Sequence, residues 1–112
     1  MRNAGESERH LLPPGTDLRP DVKRGFALFA KSCIPCHSIN LEGGVVGPEL
    51  NVPRNITEYR ERSFLMEFIH DPGSFRARSK MPAFKDSLSR EQMEDVLNYL
   101  AWMREHKISS VQ

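Results

Sequence analysis

A chain of 112 residues, 38% hydrophobic and 28% charged, has room for one small domain around one core. A formal net charge of +1 with no long basic tract excludes the electrostatic footprint of a nucleic-acid or membrane-surface binder. Two cysteines exclude a multi-disulfide scaffold, and no apolar run is long enough to span a membrane.

In chain order, residues 1–20 carry Gly5, Pro13, Pro14, Gly15 and Pro20 among polar groups and read as a flexible arm or linker. Met1 to Gly15 also lacks the apolar stretch of a secretory signal. The domain is expected over 21–106, with 107–112 as a tail. From Asp21 as N-cap, Val22, Phe26, Phe29, Ala30 and Cys33 recur at spacings of three and four and predict an amphipathic helix that ends at the first cysteine. Gly25 inside it costs helix stability, which predicts close approach by another element.

Residues 38–56, with Gly43, Gly44, Gly47, Pro48 and Pro53, read as a long loop. Between Thr57 and His70 a short helix presents Phe64, Leu65, Phe68 and Ile69, with Met66 off that face, and Asp71-Pro72-Gly73 stops it. Residues 74–86 form another loop. Ser89 and Gln92 make a capping box, with Leu88 stapling onto Met93. Met93, Val96, Leu97, Leu100 and Met103 then mark a final amphipathic helix. No convincing alternating strand appears, so the fold class is all-α with long loops.

Cys33-Ile34-Pro35-Cys36-His37 is the motif that carries chemistry. Two thiols at this spacing reach the two vinyl positions on one edge of a porphyrin, and the next residue falls beneath the iron as an imidazole ligand. A thioredoxin-like pair needs a βαβ setting, which is missing. A structural zinc site needs four ligands, and a disulfide would close too short a loop to stabilise much. For the opposite face of the iron, the candidates are Met66, Met81, Met93, Met103, His10, His70 and His106. Met93 and Met103 fit the core stripe of the last helix. Met81 sits in a polar loop before Pro82, where its thioether needs either a ligand role or a place on the core, and His70 is the alternative ligand.

Taken in order, C-I-P-C-H, G-P-E-L and K-M-P-A-F, followed by a terminal helix with N-Y-L, resemble the class I cytochromes c, especially the small bacterial periplasmic type. The resemblance covers Asp21 to Arg104. It implies a cytochrome c fold of three to five helices with long loops wrapped around one haem. Cys33 and Cys36 would be covalently bound to haem c, and His37 and Met81 would ligate its iron. It also implies that Pro48 accepts the Nδ1–H of His37, and that Gly25 and Phe29 meet the terminal helix at Leu97, Tyr99 and Leu100. Phe29, Pro48, Leu50, Leu65, Phe68 and Leu100 are the expected haem-packing residues. The propionate partners stay open, with Arg54, Asn55, Tyr59 and Trp102 chemically suitable.

With both axial positions filled, the expected function is one-electron transfer without enzymatic turnover, by a monomer in the periplasm. Its partners would be redox proteins, with no nucleic acid or small-molecule substrate. Arg76, Arg78, Lys80 and Lys85 around Met81 are the expected docking patch for an acidic partner. The alternatives are a domain or subunit of a larger oxidoreductase, membrane-tethered or not, and a peroxidase or gas-binding protein with a labile Met81.

Overall fold

The structure is a computed structural model that describes residues 18–108; the rest of the expected arm and tail lies outside the described residues. Four helices carry the fold: α1 (Pro20–Ser32), α2 (Ile56–Tyr59), α3 (Arg62–His70) and α4 (Arg90–Met103). A small antiparallel hairpin, β1 (Ser38–Ile39) with β2 (Glu42–Gly43), pairs Ile39 with Glu42. Strands of two residues are too short to leave an alternating pattern.

The first helix starts two residues earlier than expected. Arg19, not Asp21, is its N-cap, and Pro20 occupies the first turn. Proline lacks the N–H that would otherwise need a cap, and its φ is already helical. Asp21 lies in the first turn, where its charge suits the positive helix end and its carboxylate accepts Asn98 Nδ2 at 2.9 Å.

The single helix expected over 57–70 is two. Asn55 caps α2 through a box with Glu58, and Arg60 is extended before α3 begins. The re-aimed α3 buries Leu65 and Met66, which corrects the placing of Met66 off the apolar face. Phe64 and Phe68 are half-buried, and their rings lie 5.2 and 5.8 Å from that of Phe75.

The capping box at Ser89 and Gln92 forms as predicted, and Leu88 and Met93 both enter the core. Crossing of α1 and α4 is the main helix contact. At the crossing, a Cβ on Gly25 would overlap the Asp95 carbonyl oxygen and stand 2.9 Å from Tyr99 Cβ. The close partners are therefore Asp95 and Tyr99. Leu97 and Leu100 join the same core but do not meet the glycine first. Arg24 grips the Asp95 carboxylate at 2.8 and 3.3 Å beside the crossing. Phe29, fully buried, packs its ring 5.4 Å from that of Tyr99, a contact worth about 0.5–1.5 kcal/mol beyond its area.

Lys107 and Ile108, read as tail, bond to the domain: Lys107 Nζ donates to Pro53 O at 3.0 Å and pairs with Glu58, and Ile108 N–H reaches Asn40 Oδ1 at 3.3 Å. Among the described residues, no helix is long and apolar enough to cross a membrane.

Candidate functional site

The end of α1 runs straight into the Cys33–His37 motif. Cys33 closes the helix with its N–H on Phe29 O at 2.8 Å, and the N–H groups of Cys36 and His37 return to Cys33 O at 3.1 and 2.8 Å. This tight turn keeps both cysteines close, as free, half-buried thiols. Burial pushes the Cys33 thiol up to about 12, with the neighbouring Cys36 adding to the effect. A thioredoxin-type pair needs the opposite shift, toward a stable thiolate.

His37 is held from two sides. Its Nδ1 lies 2.8 Å from Pro48 O. A carbonyl only accepts, so Nδ1 carries the proton and Nε2 keeps its lone pair for a metal. Gly47 packs against the ring so closely that a Cβ there would overlap the imidazole, and its N–H bonds to Cys36 O at 2.7 Å. Gly44 N–H is within 2.8 Å of Ile34 O and 3.1 Å of His37 O, which wraps the loop over the motif.

Behind the loop runs a ladder of three buried asparagines that sequence reasoning missed. Asn51 Nδ2 donates to Asn40 Oδ1 at 2.8 Å, and Asn55 Nδ2 donates to Asn51 Oδ1 at 2.9 Å and to Leu100 O at 2.7 Å. Asn40 Nδ2 donates to His106 O at 2.9 Å. Satisfied buried amides of this kind lock a loop in one arrangement. Asn55, although chemically suited to a propionate, is instead committed to the ladder and the α2 cap. Of the other three suitable residues, Arg54 lies over the Tyr59 ring at 4.7 Å, and Trp102 stacks on His106 at 3.6 Å.

The candidates for the second axial position separate by burial. Met66, Met93 and Met103 are buried core residues, and Met81 is the half-buried methionine among the described residues. His70 is exposed at the end of α3, His106 has Nδ1 on Trp102 O at 2.9 Å, and His10 lies outside the described residues. The Met81 loop is tied to α3 by Phe84 N–H on Ile69 O at 3.2 Å and Lys85 N–H on His70 O at 3.1 Å. Of the expected packing residues, Phe29, Leu50, Leu65 and Leu100 are buried, Phe68 is half-buried and Pro48 is exposed. A recess of about 180 Å³ lined by Thr57, Arg60, Arg62, Leu65, Leu97, Ala101 and Arg104 includes none of the motif residues.

These donors fit a covalently held haem: two adjacent thiols, an imidazole with its proton turned away from the metal side, and a thioether on an anchored loop. Comparison with known proteins agrees. A family model described as Cytochrome c matches residues 22–104. The chain is 34% identical to a cytochrome c-553-like protein of Synechocystis over 83 residues, 74% of this chain and 70% of that protein. It is 28% identical to cytochrome c6 of Petalonia fascia over 82 residues, 71% of this chain and 89% of that one. It is also 31% identical over 91 residues to one of the subunits of nicotinate dehydrogenase from Pseudomonas putida, covering 78% of this chain but only 8% of that much longer protein. No solved structure matches. From the motif, the helical fold and these relatives together, the chain belongs to the cytochrome c family: it is a class I c-type cytochrome, a monohaem electron carrier with covalently bound haem c.

Proposed function

We propose that Cys33 and Cys36 would hold haem c through thioether bonds, and that His37, through Nε2, and Met81, through its sulfur, would ligate the iron. The observation that carries this reading is the 2.8 Å bond from His37 Nδ1 to Pro48 O, directly after the two-cysteine turn. Haem c supplies one-electron exchange between ferrous and ferric iron. The chain's part is to hold both ligands still: Pro48 and Gly47 fix the imidazole, and the anchored loop presents Met81. Fixed ligands leave no position for oxygen or substrate, which supports a carrier without enzymatic turnover. Met/His ligation also favours a higher potential than two histidines.

Redox proteins are the partners, and the finer reading is that Arg76, Arg78, Lys80 and Lys85 dock an acidic one. All four are exposed. Lys85 lies 3.6 Å from Asp71, and the other three form no ion pair among the described residues. Val45 and Val46, 91% and 66% exposed on the loop wrapped over the motif, add apolar surface close to His37. The proposed setting is a monomer in the periplasm. A second reading, as a domain or subunit of a larger oxidoreductase, is favoured by the likeness to the dehydrogenase subunit.

Replacing Met81 by Ala tests the ligand set. Oxidised wild-type protein is expected to show the weak red absorption band of ferric iron bound by thioether sulfur, and Met81→Ala is expected to lose it and to bind carbon monoxide when reduced. A band that survives the substitution would overturn the assignment of Met81.

A further inference from the structure

Glu49 directly follows the proline whose carbonyl holds His37, and its side chain turns back into the loop. Its Oε1 accepts the Leu41 N–H at 2.8 Å, and its Oε2 accepts the N–H groups of Asn51 and Val52 at 2.6 Å each. Leu41 is at the tip of the hairpin that follows His37; Asn51 and Val52 belong to the segment that follows Pro48. One carboxylate therefore fastens both stretches of chain that flank the Pro48 carbonyl. Leu50 N–H on Ser38 O at 2.9 Å continues the seam, with Glu49 bridged to Ser38 in parallel.

The clamp has a cost to offset. Asn40 and Leu41 hold positive φ values of 51° and 69°. For leucine that left-handed state is strained and persists only where surrounding bonds over-determine it. Bonds to a carboxylate are shorter and about twice as strong as neutral ones, so Glu49 is suited to that task.

We propose that Glu49 is a positioning residue for the proximal histidine. By pinning the hairpin tip to residues 51 and 52, its carboxylate keeps the Pro48 carbonyl on the Nδ1–H of His37 and so sets how strongly Nε2 donates. This role rests on the reading of His37 as iron ligand. Hydrogen bonds of this outer kind orient a ligating histidine and raise its basicity. When the clamp is lost, the carbonyl drifts, the imidazole becomes a weaker donor, the ferric state loses support and the reduction potential rises.

The test uses the haem-loaded protein with Glu49→Gln and Glu49→Asp. The Gln amide nitrogen cannot accept a bond, so at least one of the three N–H groups loses its partner. Asp keeps the charge but is too short to serve both sides. Both variants are expected to exchange the His37 Nδ1–H with solvent about tenfold faster, as for loss of one hydrogen bond, and both are expected to have a raised potential. A raised potential in Glu49→Gln alone, with unchanged exchange in both, would reduce the effect to charge and overturn positioning. A lowered melting temperature with neither readout moved would make Glu49 merely structural and overturn it as well.

If neither variant folds, native-state hydrogen exchange on wild-type protein decides. The His37 Nδ1–H should open together with the amides of Leu41, Asn51 and Val52, and a separate opening would refute the coupling. Hyperfine-shifted ring protons of His37 in oxidised wild-type protein check the ligand reading independently, so its failure is distinguishable from failure of the clamp.

Discussion

The residues that matter most here act through their neighbours' backbone. Asn55 caps α2 with Oδ1 and carries the buried ladder with Nδ2, so one amide serves two structures. Glu58 completes the same cap and also meets Lys107. The Lys107 bond and then the Asn55 N–H hold its carboxyl below the ordinary range. A carboxylate with a lowered folded-state pKa adds stability above its unfolded value, near 4.3, and loses it as pH falls through the folded value. Wild-type protein should therefore be more stable than Glu58→Gln near neutral pH, with the difference shrinking below about pH 4. Denaturant unfolding across that range checks this, and a difference that does not vary with pH would contradict it.

At the scale of elements, the crossing of α1 and α4 sets the frame from which the Cys33–His37 turn projects. It depends on Gly25, because the Asp95 carbonyl occupies the space of any side chain there. Gly25→Ala should cost about 3 kcal/mol or more by forcing the helices apart, read as a lowered thermal midpoint. An unchanged midpoint would show that the crossing has slack. The elements legible in the sequence were those written in local spacing. The Ser89–Gln92 box lies within one turn, and the motif and the glycine sit on one helix period. Asn55 and Glu58 carry the same local signature, but a helix start placed at Thr57 hid it. Nothing local shows that Asn40, Asn51 and Asn55 are buried, because the ladder is anchored at the distant Leu100 and His106 carbonyls and polar loop residues are usually exposed. The Glu49 clamp was hidden for a related reason: its bonds to Asn51 and Val52 are local, but the bond to Leu41 that makes it a clamp forms only once the hairpin has folded back.

For the whole molecule, near-neutral net charge conceals an uneven distribution. Arg76, Arg78 and Lys80 stand on the loop that carries Met81. Steering by such a patch weakens once the Debye length falls to about 10 Å, near 0.1 M salt. Electron transfer to an acidic partner should slow as ionic strength rises, and Arg78→Ala with Lys80→Ala should remove most of that dependence in stopped-flow rates. A salt-independent wild-type rate would place docking elsewhere.

Electron transfer by this molecule requires that the Cys33–His37 turn carry a covalent haem. Intact mass of the denatured protein, produced with haem-attachment machinery, reads that attachment without any intervening inference. The expected value is the polypeptide mass plus one haem, reduced to the bare polypeptide when Cys33 and Cys36 are both replaced by Ala. A wild-type mass of the polypeptide alone, or of the polypeptide less two hydrogens for a disulfide, would contradict it.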